Sequence, residues 1–467
     1  MSSLCILSCD KYLDVKPKDQ FLEEDIYGNA SNIHGALNGI YMKMGEPILY
    51  GKNLSMTTLD IFAQYYKHNS SSTNYAKYFY TDYFVHERMD SIWSQSYATI
   101  MNINNFMKGV KGTQVVLGDG LKDILLGEAF GLRAYIHFDM LRLFGPLYKS
   151  NSSAESIPYL KEVTAQIQPL KTAKEIGVEI LADIDSSITL LANDPVKKSG
   201  PDYKLANLTA ENQYKLRNRR MNYYAARALK ARVLLYFGNT SQAFKVATEL
   251  IAESSPWFNW SPASLSLPGI PNPDRVFSSE VLFGIDNYHM YDHYLKNFDP
   301  SIPDHQILAP QTAQLNMIYE SNESDYRFRV NWISGASGGK GYRVFGKYKD
   351  IIDKSAFYRK YQPLLRISEL YLIAAECADT DVVALQYLNR LRENRGLSNL
   401  LSFGNKPDDL MKEYRKEFWG EGQMFYFFKR TERASIPSGN DGTAIKMGVE
   451  TYKIPLPQSE ISVRQSK

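Results

Sequence analysis

The chain has 467 residues, 44% hydrophobic and 22% charged, with a formal net charge of +3. This is an ordinary globular balance with ample material for a large core, and the charge excess is too small to mark a nucleic-acid binder. The three cysteines, Cys5, Cys9 and Cys377, make neither a metal set nor a disulfide framework, and no apolar run reaches the ~20 residues that span a bilayer as a helix. Tyrosine is the outlier, at 33 residues against 22 Phe and 5 Trp. Its flat apolar face and polar rim suit wet binding surfaces and interfaces, although a Tyr-rich core would account for many of them.

The first ten residues are apolar and carry no Lys or Arg. Ile6-Leu7-Ser8-Cys9 fits the bacterial lipobox, in which small residues precede a Cys that becomes lipidated. The basic region of a full signal peptide is missing from this stretch, so residues 1–9 read as a truncated signal remnant ending at Cys9. The alternative is an N-terminal strand with two chance cysteines. Asp10 to Pro17 follows as a polar, extended tether.

Apolar periodicity then predicts helices over 33–44 and 92–107, with an aromatic, polar segment from Ser55 to Met89 between them. A helix from Gly127 holds Arg133 and Arg142 among apolar residues and stops at Gly145-Pro146, where Pro supplies no amide and disfavours αR at the preceding residue. It could pair with a helix over 176–191. From Met221 to Glu253 the pattern is clearest. Tyr224, Ala228, Ala231 and Leu235 share one face, and Ala225, Leu229, Val233 and Tyr236 the next. Gly238-Asn239 breaks this helix before a second through Ala243, Val246, Ala247 and Leu250. Two helices, small residues at the crossing and a Gly-containing turn resemble a tetratricopeptide repeat. Residues 364–395 repeat the design, with Asp379-Thr-Asp at the turn. A generic helical bundle would give the same periodicity. The segment from Trp257 to Tyr358, rich in Pro, Gly, Ser, Asn and aromatics, and the tail after Thr431 read as long functional loops on a helical frame.

No catalytic motif is evident. Gly335 to Lys340 resembles a phosphate loop but is one residue short, with Gly341 where Ser or Thr should hold magnesium. His289 and His293 could share a metal if helical, but no third ligand is indicated. Cys377, on a small-residue helix face, reads as a buried inert thiol. The expectation is therefore no catalytic residue, no metal and no cofactor. The better signal is aromatic: Tyr65, Tyr66, Tyr75, Tyr78 and Tyr80 among Asn, Ser and Thr, and Tyr288, Tyr291 and Tyr294 with Asn287, His289, Asp292 and His293. A sugar ring shows an apolar C–H face and a hydroxyl edge, which a flat aromatic wall beside a few polar groups complements. These eight tyrosines are the candidate ligand residues; the alternative is that they pack beneath their own loops. Trp260 and Trp332 are weaker candidates, and Trp257 reads as a helix-end core residue.

An ordered set of motifs is similar to the SusD/RagB family. It comprises Cys9-Asp-Lys-Tyr-Leu-Asp with Pro17, Ala36-Leu-Asn-Gly-Ile-Tyr, Trp93 with Tyr97, Ile100 and Asn104, the Gly127–Tyr148 helix, Ser279-Glu-Val-Leu-Phe, Leu364 through Ala-Ala-Glu376, Glu417-Phe-Trp-Gly-Glu-Gly, and Ile454-Pro-Leu-Pro. The chain departs from the family at Met424 and Phe427, where Arg and Asp are usual. The resemblance implies a mostly α, SusD-like fold of four tetratricopeptide-like hairpins with loop-rich insertions carrying the binding face. It implies a single domain over 10–467, with helical repeats at about 31–255 and 364–430 and an insertion at about 256–363. It implies a non-catalytic lipoprotein, anchored to the outer membrane at the cell surface through Cys9. Such a protein captures a glycan or oligosaccharide and delivers it to a SusC-like TonB-dependent transporter. An oligopeptide is the alternative ligand, and a protein-binding repeat scaffold is a further reading.

Overall fold

The computed structural model describes residues 26–118, 120–201, 215–267 and 269–465. Cys5, Cys9 and the tether to Pro17 lie outside the described residues. Eight helices form the frame: α1 (Ala30–Met44), α2 (Tyr83–Gly112), α3 (Leu121–Phe144), α4 (Ala173–Leu190), α5 (Tyr223–Tyr236), α6 (Thr240–Ser254), α7 (Ile367–Cys377) and α8 (Asp381–Glu393). Each packs on the next in chain order, so the four pairs legible in the sequence are all present. α9 (Lys406–Glu417) and α10 (Met424–Arg430) follow. Among the described residues, eight short strands make four two-stranded antiparallel sheets: β1 (Glu155–Ile157) with β2 (Lys171–Thr172), β3 (Val281–Asp286) with β6 (Tyr361–Arg366), β4 (Trp332–Ser334) with β5 (Arg343–Phe345), and β7 (Ser435–Pro437) with β8 (Ala444–Lys446).

Local chemistry sets the helix boundaries. The Asp82 carboxylate accepts from the amides of Phe84 and Val85, so α2 starts inside the segment expected as loop to Met89. Thr172 and Glu175 form a reciprocal capping box on α4. Asn222, Thr380 and Asn405 cap α5, α8 and α9. Residues 364–366, expected as the start of a helix, instead end β6. Pro363 lacks an amide, Val281 pairs with Arg366, and helix begins only at Ile367.

α3 is apolar nearly all round and almost wholly buried, because α2 and α4 cover it on either side. Close approach to α4 requires Gly127 and Gly131. A Cβ on Gly127 would lie 2.7 Å from Leu191 Cγ, and one on Gly131 2.5 Å from Met221 Cγ. The C-terminal carbonyls of α3 are capped by a buried lysine, Lys429, whose Nζ donates to Leu143 O (3.0 Å) and Gly145 O (2.8 Å). The polar side chains inside α3 join helices together. Arg133 makes a two-pronged contact with Asp183 of α4 (2.7 and 2.8 Å), and Asp183 also accepts from Tyr159 Oη (2.6 Å). In the same way Arg232 of α5 grips Glu369 of α7 (2.6 Å for both bonds). One large core of buried apolar residues runs from Ile33 to Ile454, and a small separate cluster comprises Ile307, Ala309 and Val344.

A cluster of charges closes the fold around α9. Glu417 accepts from Arg395 (2.6 and 3.1 Å), Arg327 (2.9 Å) and Arg366, and all four side chains are essentially without solvent exposure. Arg395 also holds Glu280 (2.8 and 2.6 Å), Arg327 holds Asp325 and Glu413, and Arg366 and Lys347 hold Glu421. Burial works against the charge on Glu417, but Arg395, Arg366 and Arg327 hold it well below the usual carboxylate range. The following loop is sharp. Gly420 (φ +83°) and Gly422 (φ +68°) lie in the left-handed region, and their amides donate to Asp60, at 2.7 and 3.3 Å. Met424 and Phe427, where the family usually has an ion pair, are buried apolar residues, with Phe427 4.6 Å from the Tyr414 ring.

Removing one partner of such a cluster leaves uncompensated buried charge. Glu417→Gln is expected to lower unfolding free energy by about 3–5 kcal/mol in urea titrations. Glu413 gives the pH dependence. Burial opposes its charge, but Lys416, Arg327 and Arg392 bring it to about 2, below the ~4.3 of an unfolded glutamate. The folded state therefore binds fewer protons, and this stabilisation, full above the unfolded value, is lost as pH falls. The urea midpoint is expected to drop steeply below about pH 4, and less steeply in Glu413→Gln.

Candidate ligand-binding face

The sequence-predicted tyrosines divide by burial. Tyr65 and Tyr66 are 1% and 2% exposed. Tyr65 stacks on Trp419 (4.1 Å between centroids) and donates to Arg415 O (2.9 Å), while Tyr66 donates to Met56 O (3.0 Å). Tyr75 donates to Phe84 O (2.9 Å), Tyr78 to Phe62 O (2.7 Å) and Tyr80 to Thr451 O (2.6 Å); Tyr75 is buried and the other two largely so. Tyr294 is buried as well. These six rings serve the frame; Tyr65 ties the 56–82 segment to α9, and Tyr80 ties it to the C-terminal tail. Trp332 is likewise a core residue, 4.5 Å from Trp419, and Trp260 packs 4.9 Å from Tyr371.

Tyr288 and Tyr291 differ. They flank the start of the helix Met290–Asn297, immediately after β3. Tyr288 is 57% exposed, with Lys360 Nζ 5.6 Å from its ring centroid. Tyr291 is half-buried. Its hydroxyl accepts from the Lys360 amide (3.1 Å), and Arg359 lies 4.9 Å over its ring. Beside Tyr291 opens a small cleft whose walls include Arg275, Lys349, Tyr358, Arg359 and Lys360. The segments converge because β3 pairs with β6. The Asn287 amide donates to Lys360 O (2.8 Å), and Asn287 Nδ2 donates to Gly51 O (2.7 Å).

A second exposed aromatic group stands at the start of α2: Phe79, Tyr83 and Phe84 are 58%, 68% and 71% exposed. Arg88, one turn beyond Phe84, donates to Asn53 Oδ1 (2.7 Å), next to Lys52. Burial, then the charges of Arg88 and Lys296, lower the Lys52 pKa. Burial, then Lys52 and His289, bring His293 down to about 4, so it is neutral at physiological pH. Phe79 and Tyr83 lie within the aromatic run that the sequence analysis marked. No local signal separates Tyr83 and Phe84 from the buried tyrosines, since Tyr223 and Tyr224 also follow a helix cap directly and Tyr224 is buried. The basic cleft had no signal, because Arg275 and residues 349–360 meet only through folding.

The remaining candidates resolve simply. Gly335–Lys340 is the turn of the β4–β5 hairpin, not a strand-to-helix phosphate loop, and Lys340 pairs with Asp304 (2.6 Å). His289 and His293 stand 6.2 Å apart by ring centroids, and among the described residues no group of three His, Cys, Asp or Glu could hold a metal ion. Burial, aided by Glu376, pushes the Cys377 thiol up to about 12, which makes it inert.

With this geometry in hand, comparison with known proteins is direct. Residues 11–235 match a family described as starch-binding, associating with the outer membrane, and residues 310–465 match the SusD family. SusD-like protein P2 of Formosa agariphila is 21% identical, over 99% of this chain and 96% of its own. Among solved structures, a SusD superfamily protein from Bacteroides thetaiotaomicron aligns with TM-score 0.71 and 19% identity, covering 93% of this chain and 98% of that one. The surface glycan-binding protein A of the same species aligns with TM-score 0.65 and 16% identity, covering 94% and 98%. The class is that of helical, non-catalytic binding proteins associated with the outer membrane. The chain belongs to the SusD/RagB family.

Burial predicts opposite behaviour within the tyrosine set. Tyr65→Ala is expected to cost about 3–5 kcal/mol and lower the melting temperature. Tyr288→Ala is expected to change stability by less than about 0.5 kcal/mol. Paired thermal melts check both.

Proposed function

We propose that the chain is a non-enzymatic, cell-surface glycan-binding subunit of an uptake complex, with residues 10–467 acting as one domain. Tyr288 and Tyr291, with the exposed group Phe79, Tyr83 and Phe84, form its ligand face. Lipidated Cys9 anchors it to the outer membrane, and a SusC-like TonB-dependent barrel receives the glycan. The observation that carries this reading is the exposure of large aromatic rings beside polar and cationic groups at helix starts and in the adjoining loops of a helical frame. Such a face suits a sugar, whose C–H surface stacks on the ring while hydroxyls bond at its edge. Membership of a family of binding proteins and similarity to a surface glycan-binding protein support it. Among the described residues no helix is long and apolar enough to cross a membrane, which fits attachment by lipid.

The test is calorimetry on the protein lacking residues through Cys9, against plant, microbial and host polysaccharides and a mixed peptide digest. Saturable heat with one glycan class is expected. Tyr288→Ala and Phe84→Ala should each weaken it by about 0.5–1.5 kcal/mol without shifting the melting temperature. Heat with peptides alone would instead favour the oligopeptide-binding reading, and turnover of any polysaccharide would overturn the non-enzymatic one. Capture of a large outer-membrane protein by the full chain tests the transporter.

A further inference from the structure

We propose that the cleft between Arg275 and Tyr291 binds the anionic substituent, a carboxylate or sulfate, of an acidic glycan. This rests on the glycan-binding reading above and adds the charge of the substrate. Arg275 is the central observation. Its Nε donates to Val330 O (3.2 Å) and its Nη1 to Lys349 O (3.3 Å), both neutral carbonyls. Among the described residues no carboxylate forms an ion pair with it, and burial draws its pKa down to about 10. Arg275 is partly buried, and a guanidinium that gives up part of its hydration without a counter-charge is disfavoured, a cost that an arriving anion offsets.

The nearby acids do not supply the missing charge. Asp274 precedes Arg275 but is committed to the amides of Val276 and Ser278 and to the Ser278 hydroxyl. Asp353 caps Ser355. Asp350 is held by Arg359 through two bonds (2.9 and 3.0 Å) and by Lys354 (2.7 Å). Lys349 and Lys360 line the same cleft and have no ion-pair partner among the described residues. The cleft thus carries a positive charge that no carboxylate among the described residues offsets, which raises the local concentration of anions. Tyr291 and Tyr358 supply ring surface beside it, so a sugar stacked there would place a carboxylate or sulfate within reach of the Arg275 fork.

The experiment titrates the protein lacking residues through Cys9 with three oligosaccharides of equal length: oligogalacturonate, a sulfated galactan and a neutral β-glucan. One acidic probe is expected to bind about tenfold tighter than the neutral one, with an affinity that falls as salt is added. Which acid binds distinguishes carboxylate from sulfate. Lys349→Gln with Lys360→Gln, both outside the packed core, should cost that probe about tenfold more than it costs the neutral one and leave the melting temperature unchanged. Arg275→Gln should cost as much again if it folds, and the lysine pair keeps the test decisive if it does not. Equal binding of acidic and neutral probes, or an unaffected lysine variant, overturns the inference and leaves the glycan reading standing. Binding of none of the three, nor of any glycan in the wider panel, overturns both.

Discussion

Glu417 sits where three guanidinium groups converge with almost no water, and the rest of the molecule is arranged to make that possible. Its partners come from far apart in sequence. Arg327 belongs to the long insertion, Arg366 ends β6 and Arg395 follows α8. Ions leave water only when geometry and further hydrogen bonds offset the desolvation. Here Asp325, Glu413, Glu280 and Glu421 occupy the remaining donors of the same arginines. The cluster therefore fixes how the helical stack, the insertion and the C-terminal part meet.

This constraint explains what the family signatures do. Glu417 and Glu421 bracket Trp419, whose ring stacks on Tyr65, and Gly420 and Gly422 turn the backbone so that two amides reach Asp60. Glu128, in the Gly127–Tyr148 helix, accepts from Tyr41 (2.6 Å) and pairs with Arg217. Arg133 and Arg142 of the same helix bind Asp183 and Asp139. The motifs by which the chain resembles its family thus build the frame. The groups of the proposed ligand face, such as Tyr288 and Lys360, lie outside them, where the packed frame does not constrain the side chain.

Burial accounts for the abundance of tyrosine. Most of the rings marked as ligand candidates place their apolar bodies in the core and donate their hydroxyls to backbone carbonyls, nearby for Tyr66, Tyr75 and Tyr78 and distant for Tyr80 and Tyr65. A long irregular segment such as 56–82 leaves many carbonyls unpaired, and tyrosine satisfies them while filling space. The same residue type therefore serves scaffold and surface, and composition does not separate the two uses.

The sequence by itself determined the helices, their pairing in chain order and the family. These depend on apolar spacing, caps such as Asn222 and Asp82, and stops such as Gly145-Pro146, all of which act over a few residues. The strand Tyr361–Arg366 was less legible, because it exists through its partner Val281–Asp286, some eighty residues away. Tertiary structure alone decided which tyrosines face solvent, and it alone assembled the basic cleft. Arg275, Lys349 and Lys360 become one site because β3 and β6 pair and bring their flanking loops together. Exposure and local charge balance depend on every element packed around a side chain, and local sequence spacing does not encode them.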